Sequence, residues 1–308
     1  MMRQLLAACG AAAMVMTLMP FADASGESPW SEWSAPVNLG ATINTPFNEA
    51  APAISRDGLS LYFTSNRPSV PPDAFGENDL YVARRERVDL PWDWPVNLGP
   101  TINTAGVEAN PALSRNEHHL FFSRNAPGGP GDIWVSYRKS VHADTGDGGW
   151  QLPVPLGPGV NTGDAEFTPA YYENRTWGLP QLFFTRPQPG SALVDIYVAD
   201  AFGSAVPVTE LNSTGSDARP SITADGLEIF FHSNRTGSAG NDLYASVRKK
   251  VLDPWSVPKT LGTVVNSAAS DFLGSISPDG TTLLFTSTRE GGFGATDIYV
   301  TTRGHRRR

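Results

Sequence analysis

Cysteine and the common catalytic motifs are nearly absent from this sequence. The only cysteine among 308 residues is Cys9, so the rest of the chain forms no disulfide and must be stabilised by packing. No Gly-x-Ser-x-Gly elbow, P-loop or dinucleotide fingerprint occurs. The histidines include no His-x-x-x-His pair, which argues against a zinc site; they are His118, His119, His142, His232 and His305.

Positive charge is also scarce. The formal net charge is −8 and the pI is about 5.1, which argues against a nucleic-acid partner and against anionic membrane surfaces. The one basic run is Arg306–Arg308, which we interpret as a solvated basic tail over residues 304–308. No long apolar run follows residue 24, so no transmembrane segment is expected.

The first 24 residues have the pattern of a secretory signal peptide. Arg3 supplies a positive start, Leu5–Pro20 is an apolar stretch too short to span a membrane, and Ala22–Ala24 forms a small-x-small cleavage site. The expected location is therefore periplasmic or secreted. Leu6–Cys9 is similar to a lipoprotein box, but only eight residues precede Cys9, so lipidation is the less favoured alternative.

Five copies of one pattern organise the rest of the chain. Each copy contains an Asn, a Ser or Thr directly after it, and an acid five residues after the Asn, and successive acids are separated by 59, 58, 51 and 54 residues. The pairs are Asn44/Glu49, Asn103/Glu108, Asn161/Glu166, Asn212/Asp217 and Asn266/Asp271. This period predicts an all-β fold, a five-bladed β-propeller with four-stranded antiparallel blades.

Strand signals within each copy support this prediction. In the fourth copy a tight turn at Asp225–Gly226 leads to the apolar run Leu227–Ser233, and a second strand begins at Asp242. A Trp-containing outer segment at residues 33–39 precedes the first copy, and nothing equivalent follows the last one. We therefore expect residues 33–39 to complete the blade built from residues 271–303, within a single domain over residues 25–303.

The first copy contains the motifs Ser55–Gly58, Ser65–Arg67 and Asp79–Tyr81, and the fourth copy contains Ser233–Arg235 and Asp242–Tyr244. In these motifs the chain resembles the WD-repeat-like, TolB-type propeller repeat of secreted bacterial proteins. The resemblance covers nearly all of residues 33–303 and implies an extracytoplasmic binding scaffold. TolB has six blades and an added N-terminal domain, whereas this pattern gives five blades, so the role of TolB does not carry over directly.

The repeated acids have two interpretations. Five carboxylates around one mouth of the channel could form a cation site or a ligand port, and oxygen ligands would suit Ca²⁺ rather than Zn²⁺. Alternatively, each acid caps the backbone N–H groups of its own crossover or pairs with a neighbouring blade, and the repetition reflects a requirement met in every blade. The acids are Glu49, Glu108, Glu166, Asp217 and Asp271.

An arginine is repeated as well, and it comes before the acid that opens the third strand. We expect each arginine to pair with that acid within its blade, as Arg67 with Asp79. The alternative is a ring of arginines that faces a ligand. The Asn of each copy is interpreted as an Asx-turn residue rather than a ligand. The arginines are Arg67, Arg124, Arg186, Arg235 and Arg289.

Copies that depart from the pattern are better candidates for a binding site, because function rarely shares the symmetry of its scaffold. Aromatic or charged loop residues of this kind could face a ligand or cover a blade edge; they are Tyr171, Tyr172, Arg175, Trp177, Phe75 and Phe293. The sequence favours a monomeric binding or scaffold protein that recognises a protein, peptide or carbohydrate at one face of the ring. The alternative is a glycan-active hydrolase or lyase that uses carboxylates in the channel. No cofactor other than Ca²⁺ is suggested.

Overall fold

Five four-stranded antiparallel sheets make up the computed structural model, which describes residues 29–68, 77–125, 130–141, 149–173 and 179–306. These residues form twenty strands and no helix. Each sheet is one blade, and its strands are hydrogen-bonded in order from the first to the fourth. The prediction of a five-bladed, four-stranded propeller is therefore confirmed. The predicted signal peptide, residues 1–24, lies outside the described residues.

The strands are numbered in chain order. Blade 1 contains β2 (Glu49–Ile54), β3 (Ser60–Ser65), β4 (Asp79–Arg84) and β5 (Val96–Asn97). Blade 2 contains β6 (Val107–Leu113), β7 (His119–Asn125), β8 (Gly131–Tyr137) and β9 (Val154–Pro155). Blade 3 contains β10 (Phe167–Glu173), β11 (Pro180–Pro187), β12 (Val194–Asp200) and β13 (Val206–Pro207). Blade 4 contains β14 (Asp217–Ile222), β15 (Glu228–Ser233), β16 (Asp242–Val247) and β17 (Lys259–Thr260). Blade 5 contains β18 (Asp271–Ile276), β19 (Thr282–Ser287), β20 (Asp297–Thr302) and β1 (Val37–Asn38).

The ring closes through β1, as predicted. Val37 lies opposite Val300 of β20, and Asn38 lies opposite Tyr299. Backbone hydrogen bonds extend this pairing on both sides, from the Ser34 N–H to the Thr302 carbonyl (2.8 Å) and from the Leu39 N–H to the Ile298 carbonyl (3.1 Å). The last blade therefore has no open outer edge beside β20.

The second strand of each blade lies between neighbouring blades and is buried on both faces. In blade 1, Leu61, Tyr62 and Phe63 are all buried, which explains why the run is continuously apolar rather than alternating. Full burial of one such side chain contributes about 1.5–3 kcal/mol. The apolar clusters span adjacent blades, as where Phe183 of blade 3 and Phe231 of blade 4 share one cluster.

The first strand of each blade carries a bulge two residues after the repeated acid. The register of β2 with β3 shifts between Ala50 and Ala53, and the same shift recurs in the other four blades. The residue at the bulge has a positive φ in every blade: Ala51 (52°), Asn110 (58°), Thr168 (54°), Arg219 (55°) and Leu273 (52°). A bulge of this kind re-aims the side chain. These five residues are called the axial positions below.

Candidate functional site

The five repeated acids are buried in the frame of the propeller. Glu49 has no exposed surface, and its carboxylate accepts the Thr45 N–H (2.6 Å) and the Thr45 hydroxyl (2.7 Å). The Arg67 guanidinium lies 3.0 Å from the same carboxylate. The other four acids are equally buried and have the same kinds of partner; they are Glu108, Glu166, Asp217 and Asp271. These contacts match the second interpretation of the sequence, in which each acid caps backbone N–H groups of its own crossover instead of forming a cation site or a ligand port.

The repeated arginine pairs with the acid of the first strand, so the predicted pairing with the acid of the third strand is wrong. Glu49 lies opposite Ser65 in the sheet, and Arg67 is two residues further along, where a side chain returns to the same face. Its guanidinium also stacks over the rings of Phe63 (5.2 Å) and Tyr81 (5.4 Å). Each blade is thus stabilised by one ion pair shielded by aromatic rings.

The repeated asparagine links adjacent blades. The Asn44 side-chain oxygen accepts the Ile298 N–H (2.8 Å), and its amide donates to the Ile298 carbonyl (2.9 Å). The same double contact joins the other asparagines to the third strand of the preceding blade, through Leu80, Ile133, Ile196 and Leu243. The asparagine side chain therefore hydrogen-bonds to the neighbouring blade as the backbone of an adjacent strand would, and its role goes beyond a local Asx turn.

The axial positions share a backbone contact but not a side chain. The axial N–H of each blade donates to a side chain on the second strand of the preceding blade, as from Ala51 to the Thr286 hydroxyl (3.0 Å). Thr64, Ser123 and Thr185 serve three other blades in the same way, and His232 serves Leu273. The frame is thus five-fold, while the axial side chains Ala, Asn, Thr, Arg and Leu are all different. This is where the symmetry of the scaffold is lost.

Arg219 is the charged member of this set, and its guanidinium crosses the channel. It belongs to blade 4, but it donates to the carbonyl of Pro52 in blade 1 (3.0 Å) and to the carbonyl of Pro111 in blade 2 (3.4 Å). A third hydrogen bond reaches the Asn110 side-chain oxygen (3.3 Å). Arg219 is only 3% exposed, and burial lowers its pKa to about 9. All of these partners are neutral oxygens.

His232 lies next to this arginine and is uncharged. Its Nδ1 accepts the Leu273 N–H at 3.3 Å, and its ring meets the Phe272 ring edge-on at 6.0 Å. Burial, and then the positive charge of Arg219, lower the pKa of His232 to about 3. A neutral imidazole is required for Nδ1 to accept this hydrogen bond.

A cavity of about 120 Å³ occupies the channel where the first strands end. Arg219 lies at its inner end, and the lining continues along the strands to the turns that follow them. Its charged lining residues are Arg56, Arg115, Glu117, Glu173 and Arg219. The repeated acids stand at the starts of the same strands and do not line it. The cavity therefore opens at the face opposite to the one where the sequence suggested an acidic port.

Two of the predicted loop residues, Tyr171 and Tyr172, line this cavity, but they lie in strand β10 and not in a loop. Tyr171 stacks on Phe121 with ring centroids 5.1 Å apart, and the Tyr172 hydroxyl donates to the Asp225 carbonyl (3.3 Å). Phe293 is 48% exposed and follows β19, at the other face of the ring. Arg175, Trp177 and Phe75 lie outside the described residues. The three predicted residues that the structure describes are thus divided between two faces of the ring.

Neither a metal cluster nor a spanning helix is found in the part of the chain that the structure describes. There, no three side chains of His, Cys, Asp or Glu are grouped so that they could hold a metal ion. The same residues contain no helix long and apolar enough to cross a membrane.

Comparisons with known proteins support the fold alone. No protein-family model and no curated protein matches the chain. An α-L-arabinofuranosidase from Lactobacillus brevis is similar in structure, with 11% identity and a TM-score of 0.59 over 86% of this chain and 92% of that one. A thermostable family-43 glycoside hydrolase has 13% identity and a TM-score of 0.58, and the match covers 85% of this chain and 90% of that one. TolB from Acinetobacter baumannii has 14% identity and a TM-score of 0.47, and the match covers 84% of this chain and 55% of that one. The chain shares the β-propeller fold with the arabinofuranosidase and the family-43 hydrolase.

Proposed function

We propose that this chain is an extracytoplasmic binding protein, which recognises its partner at the face of the propeller that carries the central cavity. The observation that supports this most strongly is the use of the repeated carboxylates. All five are buried and bonded within the frame, so they are not available as acids or bases in the channel. Within the described residues, the variable axial side chains and the cavity beside them are then available to recognise a ligand.

The partner classes in this proposal are a protein, a peptide or a carbohydrate, bound by a monomer. Tyr171 and Tyr172 line the cavity, and tyrosine combines apolar surface with a hydroxyl that can form hydrogen bonds. Membership of the TolB-type repeat family and export through residues 1–24 belong to the same proposal. They are supported by the Asp57–Gly58 and Asp79–Tyr81 motifs and by the apolar leader.

A second candidate is a glycan-active hydrolase. It is favoured by two carboxylates, Glu117 and Glu173, which both line the cavity. Glu117 is held in place, because it accepts the Arg56 N–H (2.5 Å) and lies 3.6 Å from the Arg138 guanidinium. The α-L-arabinofuranosidase of similar fold makes arabinofuranosides reasonable test substrates.

The two candidates are separated by one experiment on the chain from residue 25 onward. Glycan and peptide arrays measure binding, and release of reducing sugar from the bound glycans measures turnover. We expect binding without turnover, with Glu117→Gln and Glu173→Gln both behaving like the wild type in the turnover assay. Turnover that either variant abolishes would replace the binding proposal with the hydrolase.

A further inference from the structure

The positive charge of Arg219 in the central cavity has no carboxylate partner within the described part of the chain. Each of the five repeated arginines has a carboxylate within 3.0 Å. Arg219 is more deeply buried than these, yet among the described residues its guanidinium donates hydrogen bonds only to two carbonyls and one amide oxygen. Burial of a charge without a counter-charge is strongly unfavourable. A ligand that brings the missing negative charge would remove this penalty.

A second guanidinium points to the same kind of ligand. Arg115 lines the cavity, and its Nη1 atom is buried without a hydrogen-bond partner. A neutral donor is also present, because Ser221 Oγ accepts the Ile276 N–H (3.0 Å) and its hydroxyl proton has no acceptor among the described residues. Two donors without an acceptor among the described residues therefore belong to residues that line a space with room for a small group.

The buried charge of Arg219 favours a monoanion. Arg56 and Glu173 also line the cavity, but both are exposed to solvent. Glu117 is paired with Arg138 at 3.6 Å. A single carboxylate would neutralise the charge of Arg219, whereas a phosphate dianion would leave a second negative charge without a partner inside the cavity. A planar carboxylate also matches the fork of donors on a guanidinium.

We propose that the central cavity binds the carboxylate group of a small molecule, with the Arg219 guanidinium as its charge partner. This inference rests on the proposed binding function and names the chemistry of the ligand. The cavity of about 120 Å³ is small compared with pockets for drug-sized ligands, which span roughly 300–1,000 Å³. The carboxylate therefore belongs to a compact molecule or to one end of a larger one.

Calorimetric titration with four probes tests the proposal. Acetate supplies a carboxylate alone, glucuronate adds sugar hydroxyls, glucose has the hydroxyls without the charge, and inorganic phosphate is a different oxyanion. We expect saturable binding of glucuronate, no binding of glucose, and binding of phosphate weaker than glucuronate by about tenfold or more. Equal binding of glucose, tighter binding of phosphate, or no binding of either carboxylate overturns the proposal.

Arg219→Met provides the decisive comparison. Met keeps most of the length of the side chain and meets the same positive φ as Arg219, but it carries no charge. We expect its affinity for glucuronate to fall by about tenfold or more. The charge-matched control is Arg87→Gln, which removes an exposed guanidinium paired with Asp89 outside the cavity lining and should keep the affinity within about twofold of the wild type.

A thermal melt separates a ligand site from a merely structural tie. If Arg219 serves a ligand, the unliganded Met variant should melt at the wild-type temperature or above it, and glucuronate should raise the melting temperature of the wild type alone. If Arg219 only ties blade 4 to blades 1 and 2, the variant melts lower and still binds glucuronate, which overturns the proposal. Array binding that persists while all four probes fail would reject the carboxylate site but leave the proposed function standing.

Discussion

His232 should make the stability of the propeller depend on pH in the acid range. Four blades use a Thr or Ser hydroxyl to accept the axial N–H of the next blade, whereas blade 4 uses the Nδ1 of His232. This imidazole is buried beside Arg219, and its pKa is lowered from 6.5 to about 3. An unfolded chain protonates the imidazole below pH 6.5, while the folded chain does not do so until about pH 3.

The sign and size of the effect follow from proton linkage. Between these two pKa values the unfolded state binds one more proton than the folded state, so the free energy of unfolding falls as the pH falls. The loss is at most about 1.4 kcal/mol per pH unit, or about 2 kcal/mol between pH 6.5 and pH 5. This loss is a large fraction of the free energy of unfolding of a typical protein, which is about 5–15 kcal/mol.

His232→Thr isolates this contribution, because it installs the residue that blades 1, 3 and 5 already have at Thr64, Thr185 and Thr286. A smaller side chain lowers stability at every pH, so the informative quantity is the slope of the unfolding free energy against pH. Urea titrations at a series of pH values from 5 to 8 should show a flatter slope for the variant. His232→Asn, whose Oδ1 can replace Nδ1 as acceptor, should flatten it as well. Equal slopes in the wild type and both variants would refute the reasoning.

Three further predictions concern the frame. Glu49→Gln leaves the buried Arg67 guanidinium without its carboxylate and should lower the free energy of unfolding, measured by urea titration, by about 3–5 kcal/mol. The exposed control Asp89→Asn should leave the urea titration unchanged. Equal effects of the two substitutions would contradict a structural role for the acid. A chain that lacks residues 25–39 loses the pairing of β1 with β20 and should melt well below the chain that starts at residue 25. Equal melting temperatures would show that closure of the ring adds no stability. Chelator should leave the melting temperature unchanged, because the oxygens of the repeated carboxylates already accept protein donors; a clear fall would restore the Ca²⁺ hypothesis.

The fold could be predicted from the sequence because propeller blades repeat their local chemistry. The spacing of the acids gave the number of blades, and the position of the Trp33 segment before the first copy predicted the closure found at β1. Both inferences depend only on the order of segments along the chain. Neither requires knowledge of where a side chain points.

The site was harder to predict, because it depends on directions that the sequence does not encode. The axial positions are set by a bulge in the backbone, and Ala51, Asn110 and Thr168 share no side-chain chemistry that would reveal it. The signal that could have identified Arg219 is its place two residues after a repeated acid, where no other copy has a charge. The pairing of Arg67 was predicted wrongly for a similar reason, since the register of β2 with β3, and not proximity along the chain, brings it to Glu49.

The central claim is that a five-fold frame holds one asymmetric binding position on the channel axis. A crystal structure of the chain from residue 25, grown with glucuronate, tests it most directly. We predict electron density for the carboxylate within hydrogen-bonding distance of the Arg219 guanidinium, with Glu49 and Arg67 still paired. Glucuronate bound instead at the opposite face beside Phe293, or an Arg219 side chain paired with a carboxylate of the protein, would contradict the account.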